Sequence, residues 1–127
     1  MRLTLYPTLA EVLVLHEVLI ERFGGSGGVR DLGLLESALM RPQTGYYNSL
    51  SLEAAALLQS LCQNHAFVDG NKRIAFTVTA IFLRMNSYSL KVDPDNEESF
   101  LIDEVIGKQA SIEKISQWLE SNMKKVK

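Results

Sequence analysis

The sequence predicts an all-α domain of about six helices with little or no sheet. Apolar residues recur at helical spacing along most of the chain. Capping residues stand immediately before most such stretches. The length of 127 residues, with 46% apolar and 22% charged content, suits one hydrophobic core. No internal repeat, low-complexity tract or dividing linker interrupts it, so residues 1–127 read as a single domain.

Taken in order, Leu3 to Leu5 reads as a short edge strand. Thr8-Leu9-Ala10-Glu11 is a capping box, in which hydroxyl and carboxylate satisfy free amides at a helix start. The helix that follows carries apolar residues at 9, 12, 13, 19, 20 and 23, and His16 falls on the same stripe. His16 therefore reads as a partly buried core histidine rather than a catalytic group. Gly24-Gly25-Ser26-Gly27-Gly28 ends the helix. Because this run follows a helix and lacks the Gly-Lys-Ser/Thr of a P-loop, it reads mainly as a flexible connector.

Asp31 caps a second helix, Leu32 to about Met40, which Pro42 ends. Gln43 to Leu50 is loop, with Tyr46-Tyr47 as aromatic surface, and Ser51 caps a third helix running to about Asn64. Residues 66–70 break the pattern. The helix from about Asn71 to Met85 is apolar on nearly every face, which marks a central, buried helix. Tyr88 to Val92 can form a short strand. Asp93-Pro94-Asp95 opens a fifth helix with an acidic start (Glu97, Glu98) and an end at Gly107. Ser111 caps the last helix, through Ile112, Ile115, Trp118, Leu119 and Met123. The cluster Lys124, Lys125 and Lys127 reads as a solvated helix end, where cations suit the dipole.

Composition removes several classes of function. No apolar run approaches a membrane span, and Met1-Arg2-Leu3-Thr4 lacks the features of a signal peptide, so a cytoplasmic protein without membrane contact is expected. Thirteen Lys and Arg against 15 Asp and Glu leave a net charge of −2, which argues against direct, sequence-independent nucleic-acid binding. The one cysteine, Cys62, permits no internal disulfide and reads as a buried structural thiol.

The segment that carries chemistry is His65-Ala66-Phe67-Val68-Asp69-Gly70-Asn71-Lys72-Arg73. A histidine ends one helix, and a short loop leads to the start of the next. The first amides there (Gly70, Asn71, Lys72) lack partners within the helix and, with its dipole, make an anion site. Lys72 and Arg73 place two cations at an end that the dipole makes unfavourable for them, and a bound polyphosphate resolves that conflict. Asp69 beside the phosphates suits Mg²⁺. His65 can be neutral near pH 7 and so available as a general base. Base, metal ligand and anion hole within nine residues describe a phosphoryl or nucleotidyl transferase. Taken singly, the same pieces read as a helix end, a turn and two surface charges; jointly, that leaves the basic helix start unexplained.

The segment resembles the active-site motif of the Fic/Doc family, His-Pro-Phe-x-Asp/Glu-Gly-Asn-Gly/Lys-Arg. Lys72 stands where most Fic enzymes have a second glycine, and that lysine marks the death-on-curing branch. Flanking residues are similar too: Leu15-His16-Glu17, Gly24-Gly25, Gly28-Val29-Arg30-Asp31, Leu34-Leu35-Glu36-Ser37-Ala38 and Phe82-Leu83. Ala66 replaces the motif proline at a position that contributes no polar group. The resemblance implies a Fic-type helical domain in which His65 deprotonates a protein hydroxyl and Asp69 holds Mg²⁺ on ATP. It further implies that Gly70 and Asn71 shape the anion hole, while Lys72 and Arg73 bind phosphate oxygens.

For the death-on-curing branch it implies phosphate transfer to a threonine of translation elongation factor Tu, arresting protein synthesis. AMP transfer through the same residues is the alternative chemistry. A catalytically silent phosphate- or protein-binding module is the alternative from another class. Many Fic proteins inhibit themselves through Ser/Thr-x-x-x-Glu-Gly/Asn. Here the nearest stretches, Ser49 to Glu53 and Ser116 to Glu120, are followed by Ala54 and Ser121, so a separate antitoxin protein is expected to act in trans.

Overall fold

The computed structural model describes residues 3–126. Five helices begin on a side chain that accepts an amide of their own first turn. Helix α1 (Leu9–Phe23) starts on Thr8, α2 (Leu32–Met40) on Asp31 and α3 (Leu50–Gln63) on Ser49. Helix α5 (Pro94–Ser99) starts on Asp93 and α6 (Ile112–Asn122) on Ser111. The capping box of α1 is complete: the Glu11 carboxylate accepts from the Thr8 N–H at 2.8 Å, and Thr8 Oγ1 accepts from the Glu11 N–H at 3.2 Å. Helix α4 (Asn71–Met85) is different. It begins at Gly70, left-handed at φ 76°, with no side-chain cap.

The third helix caps two residues earlier than its sequence suggests. Ser49, not Ser51, accepts the Leu52 N–H at 3.2 Å. Ser51 is instead buried inside α3, where its hydroxyl donates to Glu120 at 2.7 Å and accepts from Ser116 at 3.0 Å. Helix α3, rather than α4, is the central one. Ala54 through Leu58 are all buried on it, and three consecutive alanines let α2, α4 and α6 approach its different faces. Helix α4 buries Ile74, Ala75, Val78, Phe82 and Leu83, but Ile81 is 39% exposed. Its apolar residues run round the helix because one face meets the core and others line surface grooves.

Leu3 to Leu5 forms no strand. The Asn86 side chain does what a neighbouring strand would: its Oδ1 accepts the Leu5 N–H at 2.9 Å, and its Nδ2 donates to the Leu5 carbonyl at 2.8 Å. Strand β1 (Tyr88–Leu90) does form, antiparallel to β2 (Met123–Lys125), with Ser89 opposite Lys124. Lys124 and Lys125 therefore belong to a strand rather than a helix end, and Lys127 lies outside the described residues. The ladder is extended by bonds from Lys91 N–H to the Asn122 carbonyl and from Val126 N–H to the Ser87 carbonyl.

Beyond α5 the chain continues as a π-helical segment, Phe100–Gly107. The wide turn brings the Ile102 carbonyl within 3.0 Å of where a Cβ on residue 107 would sit, which suits glycine there. Six helices and one two-stranded sheet make the described chain mostly α. No helix among the described residues is long and apolar enough to cross a membrane.

Candidate active site

Helix α3 stops at Gln63, and His65 turns the chain with a left-handed φ of 50°. Histidine is among the few non-glycine types enriched in that region. The loop 66–70 is then tied at both ends. Asn71 reaches back from the first turn of α4, its Oδ1 accepting the Phe67 N–H at 3.0 Å and its Nδ2 donating to the Phe67 carbonyl at 2.9 Å. Phe67 is buried and stacks on His16 with ring centroids 3.8 Å apart.

His65, Asp69, Gly70, Asn71, Lys72 and Arg73 line one cavity of about 670 Å³, whose opposite wall comes from Pro94, Glu97, Glu98, Leu101 and Ile106. His65, Asp69, Lys72 and Arg73 are exposed to solvent. Because α4 lacks a side-chain cap, the amides of Asn71, Lys72 and Arg73 remain available at the positive end of its dipole.

The Gly70 amide is not available, contrary to the sequence reading: it donates to its neighbour Asp69 Oδ1 at 2.8 Å. The Asn71 side chain is likewise spent on the loop, so this residue shapes the anion site through its backbone. Arg73 lies over the Phe23 ring at 4.5 Å, which holds its guanidinium toward the end of α1.

Asp69 accepts from two amides, Ser26 N–H at 3.1 Å on Oδ2 and Gly70 N–H on Oδ1. These bonds, with a smaller contribution from the neighbouring His16 and Arg73, hold its carboxyl below the usual range and keep it ionised. No group of three metal-ligating side chains occurs among the described residues. A magnesium ion accepts such a site, since it commonly binds through one or two carboxylates, waters and the phosphates of a substrate. One exposed, ionised carboxylate beside an anion-binding helix start fits that donor set. Glu97 behaves oppositely: burial raises its carboxyl, while Arg73 works to lower it. Burial pushes the Cys62 thiol up to about 12 despite the charge of Lys72, so it is a structural thiol as expected.

Three contributors were not visible from spacing. The glycine-rich run is not a loose connector but a strap laid across the motif. Val29 bridges Phe67 and the Gly28 carbonyl accepts the Val68 N–H at 3.1 Å. Gly25, at φ 112°, lies against Asp69: a Cβ there would sit 2.7 Å from Oδ2. His16 is buried as expected but also reaches the site, with Nε2 2.7 Å from the Asp69 carbonyl. A carbonyl can only accept, so Nε2 carries the proton and donates. The clustered glycines were the one available signal, since left-handed glycines mark a close backbone approach as readily as a flexible link.

Gly25→Ala should push the Asp69 carboxylate out of place. Support lost behind a ligating group typically costs 10-fold or more, so were Asp69 to hold Mg²⁺ on a nucleotide, Mg²⁺-dependent nucleotide binding would weaken by about that factor, while metal-free binding would hold. Calorimetry of both proteins with and without Mg²⁺ checks this.

A mostly helical chain that sets a His-x-Phe-x-Asp-Gly-Asn-Lys-Arg loop on an uncapped helix start has the arrangement of Fic-type transferases. Residues 6–83 match the Fic/DOC family, and the chain belongs to it. It is similar to Toxin Doc of Mycolicibacterium smegmatis (strain ATCC 700084 / mc(2)155), 43% identical over 100 residues that cover 74% of this chain and 77% of that protein. It is also similar to Protein kinase doc of Escherichia phage P1, 33% identical over 89 residues that cover 67% of this chain and 71% of that protein.

Proposed function

We propose that this protein is a toxin that transfers the γ-phosphate of ATP to a hydroxyl of a target protein. The observation that carries the reading is the start of α4. It is the one α-helix among those described that starts without a side-chain cap, and its first residues line the same cavity as two cations and an exposed histidine. Such an end is unfavourable for Lys72 and Arg73 unless an anion joins them. The names of the two relatives, a toxin and a protein kinase, agree with this reading.

In the reaction, His65 takes the proton of the attacking hydroxyl, whose oxygen bonds to the γ-phosphorus as the bond to the β,γ-bridging oxygen breaks and ADP leaves. The Asn71, Lys72 and Arg73 amides and the two side-chain cations balance the charge on the phosphate oxygens. Asp69 would hold Mg²⁺, which supplies further neutralisation when bound. The target implied by family resemblance is a threonine of elongation factor Tu.

Control comes from outside the chain. The two nearest approaches to a self-inhibiting motif are engaged elsewhere: Glu53 accepts from the Tyr6 hydroxyl at 2.6 Å and Glu120 from Ser51 at 2.7 Å. We therefore assign inhibition to a separate antitoxin protein.

The deciding experiment incubates the protein with purified elongation factor Tu, Mg²⁺ and ATP labelled at either the α- or the γ-phosphate. Transfer of γ-label alone supports the reading. Transfer of α-label replaces it with AMP transfer, and transfer of neither label, to this target or to lysate proteins, leaves a silent binding module.

A further inference from the structure

The main chain around His65 is held by one residue that lies outside the motif. Three successive carbonyls, those of Asn64, His65 and Ala66, all end on Arg30. Its Nη2 donates to the Asn64 carbonyl at 2.9 Å and its Nε to the His65 carbonyl at 2.5 Å. Its own backbone N–H donates to the Ala66 carbonyl at 2.8 Å, an acceptor shared with the Asp31 N–H at 3.0 Å.

Each of these bonds answers a local need. The Asn64 carbonyl, at the C-cap of α3, has no partner within the helix and stands at the negative end of its dipole, which suits a cation. His65 sits at φ 50°, a conformation that costs a residue with a side chain and persists only where its surroundings hold it. A guanidinium is a planar fork of donors and can take two neighbouring carbonyls at once, whereas an ammonium is a point charge on a flexible stem. The fork therefore fixes the peptide planes on both sides of the His65 Cα, and with them the direction in which the imidazole leaves the chain.

We propose that Arg30 is a positioning residue for the transfer reaction, holding His65 in its left-handed backbone so that the imidazole faces the anion site of α4. This rests on the reading of His65 as the base. The strap itself does not depend on the guanidinium, because the Val29–Phe67 bridge and the bonds to Gly28 and Ala66 are made by backbone. Arg30→Ala thus removes the side-chain bonds and leaves the loop attached.

The test compares wild type, Arg30→Ala and Arg30→Lys. A misplaced catalytic group can cost about 10²-fold, so Arg30→Ala is expected to lower kcat for phosphotransfer by that order while KM for ATP and calorimetric ATP affinity stay unchanged. Arg30→Lys should recover part of the loss. The chain has two histidines, and their ring resonances give a readout that needs no activity. The His65 signal should shift or broaden in Arg30→Ala, while that of buried His16 stays in place. Unchanged His65 signals and kcat overturn the proposal. So does a joint movement of both histidine signals with a lower melting temperature in both variants, since that describes a structural role only. If wild type transfers no label at all, the proposed function fails, and the ring signals alone decide whether Arg30 positions His65.

Discussion

Removing the imidazole of His65 is expected to lower phosphotransfer by about 10²–10⁴-fold, the usual worth of a positioned base, or ~3–5 kcal/mol of barrier. Growth arrest on induced expression should disappear with it. His65 is exposed and the bonds that fix it use its carbonyl, so substitution leaves the packing intact. Alanine tolerates the left-handed backbone less well than histidine, whereas asparagine is enriched there. His65→Asn is therefore the matched variant: it removes the base and keeps the turn. Both variants should lose activity, with His65→Asn retaining the wild-type melting temperature. Undiminished growth arrest by either would remove His65 from the role of base.

The parts of the molecule legible in sequence are those whose cause is local. Thr8, Asp31, Asp93 and Ser111 cap the helices they precede because a cap acts within three residues. The histidine, the aspartate and the uncapped start of α4 could be placed together because nine consecutive residues contain them. What could not be read depends on distant chain. Ser49 and Ser51 stand two residues apart, both able to cap, and only the burial of Ser51 against Ser116 and Glu120 separates their roles. Strand β2 needs Ser87 to Lys91 as partner, and three residues of Met-Lys-Lys carry no strand signal of their own.

The glycine strap shows the same limit at the site. Its sequence permits both a loose link and a tight crossing. The choice is made by Phe67, Val68 and Asp69, some forty residues later, whose backbone and carboxylate take up Val29, Gly28 and Ser26. The apolar stripe of α1 places His16 in the core, and its side chain is buried there. Its hydrogen bond to the Asp69 carbonyl adds that the core reaches directly beneath the anion site. The motif is thus supported by α1 from below and by the strap from the side.

Lys72 is expected to decide which phosphate of ATP meets the target. It is exposed at the second position of α4 and lines the same cavity as His65. A long cationic side chain there occupies space that glycine would leave to a phosphate. With the lysine present, the proposed reading has the nucleotide bound with its γ-phosphate facing the hydroxyl near His65. Lys72→Gly opens the pocket and removes one charge; the substitution costs the helix at most ~1 kcal/mol, since its first turn is already partly open. Phosphate transfer should fall by at least the ~10² expected for loss of one transition-state contact, and any AMP transfer should rise. Mass spectrometry of the target protein separates the two additions. Phosphorylation by Lys72→Gly at the wild-type rate would make Lys72 a surface charge and leave the orientation of the nucleotide to Arg73 and the amides alone.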